Sequence, residues 1–224
     1  MNKQGISGFQ KNLYMKICVF LFFGIVLISC SKDERIPGTP PTESPGLMPL
    51  KTGNNWVFEK KDFDSTGNLK STTNDTLFII SSISINDTVY YQQYQTLITN
   101  QHAASFFVNI DSNTIGKIDS ATKYIFFKRV NTNNILINSW PDTSSDRCRG
   151  HNDLFGFAGI NTVNGYTGCL KNEIRVTDCT GLTFEKWVYY LKSGLGLVRI
   201  EHYILEGDGL FYLQFSEDLK SYSI

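Results

Sequence analysis

From about residue 50 onward, apolar and polar positions alternate with a period of two. In the stretch 77–85, Leu77, Ile79, Ile83 and Ile85 share one face and Ser82 and Ser84 the other, the pattern of a half-buried strand. The same reading predicts strands over 56–63, 88–98, 105–110, 124–130, 135–140, 169–177, 183–191, 197–204 and 210–216. These runs are rich in Val, Ile, Thr, Tyr and Phe, which suit a pleated surface. Turn chemistry separates them, as in Asp64-Ser-Thr-Gly67, Asn86-Asp87, Asn131-Thr-Asn-Asn134 and Glu206-Gly-Asp-Gly209. About ten short strands imply an all-β domain. The expected form is an antiparallel meander, making a curved sheet, a partly open barrel or a sandwich. No long amphipathic helix, βαβ alternation or internal repeat is visible. The longest stretch without a strand signal runs from Pro141 to Gly168, with five glycines and with Phe155 and Phe157 between them. It is expected to be a loop that packs its aromatics over a barrel end, or else a loop that carries function.

A different pattern holds before residue 50. The run Ile17–Ile28 is continuously apolar but too short to span a bilayer, which takes about 20 residues. Lys3, Lys11 and Lys16 precede it, as in a signal peptide. Met15 directly precedes Lys16 and is a second candidate start. The run closes on Leu27-Ile28-Ser29-Cys30, which resembles a bacterial lipobox. That resemblance implies cleavage before Cys30 and lipidation of its thiol, so residues 1–29 would leave. Ser31-Lys32-Asp33-Glu34 resembles the surface-export signal of some Gram-negative lipoproteins. No Asp follows Cys30 directly, which favours the outer membrane over retention at the inner one.

Residues 30–49 then read as the lipidated cysteine and a tether. Pro37, Pro40, Pro41, Pro45 and Pro49 fall here, five of the chain's six prolines, with Gly, Ser and Thr between. Such composition is extended and buries no core. A single domain is expected over 50–224. The formal net charge is zero, and loss of the three leader lysines leaves the mature chain slightly acidic. That balance is no footprint for nucleic acid.

Two segments bracket the domain: Pro49-Leu-Lys-Thr-Gly-Asn-Asn-Trp-Val-Phe58 and Trp187-Val-Tyr-Tyr-Leu-Lys-Ser-Gly-Leu-Gly-Leu-Val-Arg-Ile-Glu201, with Gly168-Cys-Leu-Lys171 between. Their order resembles a loose group of Gram-negative envelope lipoproteins and secreted proteins, itself similar to curved-sheet lipoprotein-carrier folds. The resemblance implies an architecture and no catalytic residues. Physically, Gly194 and Gly196 around Leu195 suit a tight turn or bulge with positive φ. Trp56 suits a plug at one barrel end.

Candidate chemistry adds little. Cys18 leaves with the leader, and Cys148, Cys169 and Cys179 remain in a disulfide-permissive compartment. Cys169 and Cys179 bracket a predicted strand, which would hold them ~33 Å apart, far beyond bridging distance. Cys148 and Cys169 flank the glycine-rich stretch and are expected to close it, with Cys179 left reduced. His202 shares a face with Val198, Ile200 and Ile204, as a core histidine would. His151, Asp153 and Cys148 match no strong metal spacing, and Asp62-Phe-Asp-Ser-Thr-Gly67 reads as a hairpin turn rather than a calcium loop. Glu173 and Asp178, or Asp142 and Asp146, are expected on solvated faces or loops. No nucleophile elbow, phosphate loop or dinucleotide fingerprint occurs, so no metal or cofactor is expected. The reading is of a lipid-anchored envelope protein, not an enzyme, that binds a partner or supports the surface. Its alternative is a carrier of an apolar ligand in the concavity of the sheet.

Overall fold

A computed structural model of the chain describes residues 46–95, 105–111, 114–119, 122–141 and 150–224. These lie within one compact unit spanning 40–224. Among the described residues there are twelve strands and no helix. They are β1 (Asn55–Phe63), β2 (Leu69–Ile85), β3 (Thr88–Gln95), β4 (Ser105–Asp111), β5 (Thr114–Asp119) and β6 (Thr122–Lys128), followed by β7 (Ile135–Pro141), β8 (His151–Val163), β9 (Tyr166–Thr177), β10 (Thr183–Lys192), β11 (Gly196–Leu205) and β12 (Phe211–Ser223).

The strands form one antiparallel sheet in the order β6-β5-β4-β3-β2-β1-β12-β11-β10-β9-β8-β7. Every strand pairs with its neighbours in sequence except β6 and β7, and β1 pairs with β12 to join the two halves. The result is an all-β, nearly closed up-and-down barrel with its seam at β6. The antiparallel meander expected from the alternation is therefore present, as a partly open barrel and not a sandwich.

Side chains close the seam where no ladder does. Asn172 of β9 accepts the Lys128 N–H at 3.0 Å and donates to the Lys128 carbonyl at 3.1 Å, so its amide acts as one rung of a ladder. Asn138 of β7 donates to the Ile125 carbonyl at 3.2 Å. Tyr124 stacks on Trp140 with centroids 4.8 Å apart. Gly156 belongs to this device: a Cβ there would lie 2.7–2.8 Å from side-chain carbons of Val130 and Ile137. Close approach of another element is a standing reason for glycine within a strand. Much of the stretch read as a loop over 141–168 is thus strand, with Gly156 and Gly159 in β8 and Gly168 in β9, and Phe155 and Phe157 lie under the cations of Arg175 and Lys171 instead of over a barrel end.

One end of the interior is apolar and plugged. Trp56 and Phe58 of β1, Leu77 and Ile79 of β2, Leu191, Leu195, Val198 and Leu219 are buried there together. The indole N–H of Trp56 donates to the Leu195 carbonyl at 2.7 Å, as befits a plug. Gly194 and Gly196 have φ of 75° and 94°, the left-handed turn that their spacing around Leu195 suggested. Leu47 and Met48 are also buried in this cluster. The tether therefore ends earlier than residue 49. Gly46 accepts from Gly194 N at 3.2 Å, and Asn109 Nδ2 donates to the Met48 carbonyl at 3.1 Å, which pins the strap despite its prolines.

A bulge changes the facing of β2. Ile79 pairs with Gln93 but Ser81 pairs with Gln92, which leaves Ile80 as the extra residue. Because facing alternates residue by residue, the bulge turns Ile83 and Ile85 away from the side occupied by Leu77 and Ile79. The single face expected for these four residues is divided.

Candidate functional site

The opposite end of the interior is built from polar and aromatic side chains. Three inward rows meet there. Asp75 stands opposite Phe58, Glu217 stands between Lys60 and Ile200, and Phe215 and Trp187 flank His202 on β12 and β10. Glu185 is the next inward position on β10.

Two groups of contacts organise these residues. In the first, Gln95 Nε2 donates to Asp75 Oδ2 at 2.6 Å and to Glu217 Oε2 at 3.0 Å. Both carboxyls are almost wholly buried. Burial pushes the Glu217 carboxyl up to about 8, and the neighbouring Asp75 charge adds to the shift, while Lys60 opposes it. The pair therefore holds a proton near neutral pH, because two like charges in contact cannot both remain ionised in low dielectric. In the second group, Glu185 Oε1 accepts from Trp187 Nε1 at 2.6 Å and meets His202 Nε2 at 2.8 Å. The His202 ring stacks on Trp187 at 4.1 Å and lies 5.0 Å from Phe215. Lys60 Nζ stands 4.3 Å above the Phe215 ring. His202 Nδ1 is buried and has no hydrogen-bond partner among the described residues.

Glu185 engages His202 through Nε2, which leaves Nδ1 as the ring nitrogen turned to the interior. This half of the barrel interior thus gathers a carboxyl pair that holds one proton, a histidine ring nitrogen and the rings of Trp187 and Phe215. Such a set suits a small ligand that carries hydrogen-bond donors. It does not suit a hydrocarbon chain, for which buried carboxyls are costly neighbours.

Sequence-derived candidates fall elsewhere. Cys30 and Cys148 lie outside the described residues. Cys169, expected to pair with Cys148, is a free and buried thiol, raised in pKa by that burial, with Sγ 3.2 Å from the Tyr166 carbonyl. Cys179, expected to be reduced, is disulfide-bonded. The expectation failed because the stretch after Cys148 is strand: His151 pairs with Thr177, and Gly150 packs on the Thr177 carbonyl. Cys148 is the other cysteine of the domain and is the expected partner of Cys179. Non-reducing peptide mapping should find the 148–179 bridge and an alkylatable Cys169 only after unfolding; any bridge to Cys169 would contradict its burial as a free thiol.

His151 and Asp153 lie along β8 opposite Thr177 and Arg175. Among the described residues no group of three or more His, Cys, Asp and Glu could hold a metal ion. Asp64 accepts from Thr66 and Asn68, as a hairpin turn requires. Glu173, expected on a solvated face, is buried between Arg175 at 2.7 Å and Lys171 at 3.6 Å. Sequence reasoning missed Glu217, Asp75 and Glu185. A signal existed: Leu213, Phe215 and Leu219 alternate with Glu217 in the same register, as Trp187, Tyr189 and Leu191 do with Glu185.

No protein-family model matches the chain, and no curated protein does. Two solved structures are similar in fold. One, from Bacteroides fragilis NCTC 9343, is described as a "putative exported protein with YmcC-like fold"; it is 9% identical, with a TM-score of 0.39, over 81% of this chain and 100% of that one. The other is a "putative lipoprotein" from Parabacteroides distasonis ATCC 8503, 15% identical, with a TM-score of 0.42, over 81% of this chain and 100% of that one. Neither is close enough to transfer a residue role.

Proposed function

We propose that the chain is a lipid-anchored protein of the bacterial outer membrane, held through Cys30, whose barrel binds a small polar ligand or an envelope partner without transforming it. The polarity of the interior carries the binding half of this reading. An apolar plug closes the end where the chain enters at Gly46, and hydrogen-bonding groups gather at the other. The anchor half rests on the lipobox and the proline-rich tether. The non-catalytic reading is supported by commitment of the ionisable groups: Asp75 and Glu217 are bonded to Gln95, and Glu185 to Trp187 and His202. An apolar-ligand carrier is not favoured, because the apolar part of the interior is filled by its own side chains and the rest is polar.

The test of the anchor is the Cys30→Ala variant. Palmitate labelling should vanish and the protein should move from the membrane to the soluble fraction. Labelling that survives the substitution would refute the anchor.

A further inference from the structure

The hairpin of β2 and β3 extends past the start of β1 at the plugged end of the barrel. The last pair between β1 and β2 is Asn55 with Phe78, followed by hydrogen bonds between Ile79 and residues 53 and 54. Past that point β2 and β3 continue to a two-residue turn at Asn86-Asp87, with φ of 48° and 61°. Such a turn matches the twist of a tight hairpin.

This projection is apolar on both faces. Ile83 and Ile85 are 46% and 37% exposed on the face to which the bulge turns them. Val89, paired with Ser84 on the other face, is 45% exposed, and Ile80 at the bulge is 48% exposed. Ile110, near the end of β4 beside the hairpin, is 47% exposed. Asp87 is the one charged side chain between residues 79 and 95, and the remaining polar groups there are hydroxyls and amides. Exposed isoleucines on both sides of a strand tip have no place in a core. They need another apolar phase.

The tether begins beside this tip. Gly46 packs on the Asn109 side chain, and Asn109 holds the Met48 carbonyl. Tyr91 pairs with Phe107, and Val89 and Asn109 lie two residues beyond them on the adjacent strands β3 and β4. The chain therefore leaves the described domain on the β4 side of the hairpin, at Asn109. Fifteen residues lie between Cys30 and Gly46. A chain of that length reaches at most about 55 Å.

We infer that the β2–β3 hairpin tip is a membrane-contact element: Ile83, Ile85, Val89 and Ile110 rest in the interfacial region of the bilayer that receives the lipid of Cys30. The inference rests on the anchor reading above. A lipid surface fits the tip better than a polar partner does, because it asks for apolar side chains and little charge and supplies no matching hydrogen bonds. Two attachments also orient the barrel, with its plugged end toward the membrane and its polar end away from it.

The test uses the full lipidated chain in vesicles of phosphatidylethanolamine and phosphatidylglycerol. A Val89→Cys variant carries an environment-sensitive fluorophore, and a Thr66→Cys variant, in the turn at the opposite end, carries the same probe. Cys169 is buried and Cys179 bridged, so labelling is confined to the new cysteines. The Val89 probe should brighten on the vesicles and lose emission when brominated lipids replace ordinary ones; the Thr66 probe should do neither. Adding Ile83→Asn and Ile85→Asn should abolish quenching at position 89 while the protein still sediments with the vesicles. Sedimentation without quenching at position 89 would overturn the hairpin contact and leave the anchor standing. A probe unquenched by lipid but shielded in native membranes would overturn it in favour of a protein partner. Failure to sediment would overturn the anchor and this inference together.

Discussion

Glu217→Gln is expected to stabilise the protein above neutral pH and to flatten the dependence of its stability on pH. Glu217 is buried beside Asp75, and its carboxyl is raised from an ordinary value of 4.5 to about 8. The groups around it come from several strands: Asp75 on β2, Gln95 on β3 and Lys60 on β1, with Tyr189 two strands away on β10 in the same row. Below pH 4.5 the folded and unfolded chains both hold this proton, and stability does not change. Between 4.5 and about 8 the folded chain keeps the proton and the unfolded chain loses it. Rising pH therefore favours unfolding across that window, and above it the loss is complete. Each pKa unit corresponds to about 1.4 kcal/mol, which bounds the whole effect at roughly 4–5 kcal/mol. For a domain of this size, the loss between pH 6 and pH 9 would lower the melting midpoint by about 5–10 °C. Glutamine preserves the shape and cannot ionise, so the variant should escape most of that fall. Thermal melts of both proteins across this range decide it. Parallel curves would mean that Glu217 titrates normally and that the carboxyl pair shares no proton.

The second large effect is expected at Trp56. Its indole is fully buried among Leu47, Met48, Leu191 and Leu195, and its N–H satisfies the Leu195 carbonyl in the turn between β10 and β11. Trp56→Ala removes the largest side chain of the plug and should cost about 3–5 kcal/mol. Trp56→Phe keeps most of the volume and leaves the Leu195 carbonyl unpaired, for a cost of about 1–3 kcal/mol. Leu69→Ala, at an exposed strand end, should stay within about 0.5 kcal/mol of the parent. Urea denaturation gives all three values. A loss at Trp56→Ala smaller than about 1 kcal/mol would mean that the strap at 46–50 and the Leu195 turn do not depend on the plug.

The parts legible in the sequence follow from local rules. Period-two alternation located most strands, and turn residues separated them. A tryptophan at the head of β1 and the glycines on either side of Leu195, where β11 begins, mark the plugged end. The parts that were not legible depend on distant contacts. Gly156 is glycine because Val130, just after β6, and Ile137 of β7 close over it, and nothing within 141–168 reveals that. Strand β5 hides because Thr114–Asp119 is short and flanked by turn formers. The facing of Ile83 and Ile85 turns on one extra residue at the bulge, and hydrophobicity alone does not mark it. Leu47 and Met48 looked like tether because prolines surround them, yet two backbone carbonyls fix the strap to Gly194 and Asn109. Sequence reasoning passes over the interior acids Asp75 and Glu217, because lone carboxylates usually belong in solvent. Only pairing across β2, β3 and β12 makes their burial tolerable.

Placement of the barrel at a membrane, with its polar end outward, depends on one covalent event. The measurement that reaches it most directly is the mass of the N-terminal peptide of the protein purified from bacterial membranes. The account predicts that the mature chain begins at Cys30 and that this peptide carries the added mass of a diacylglycerol thioether, with a further acyl group where the amine is modified. A peptide that begins upstream of Cys30, or an unmodified Cys30, would contradict it.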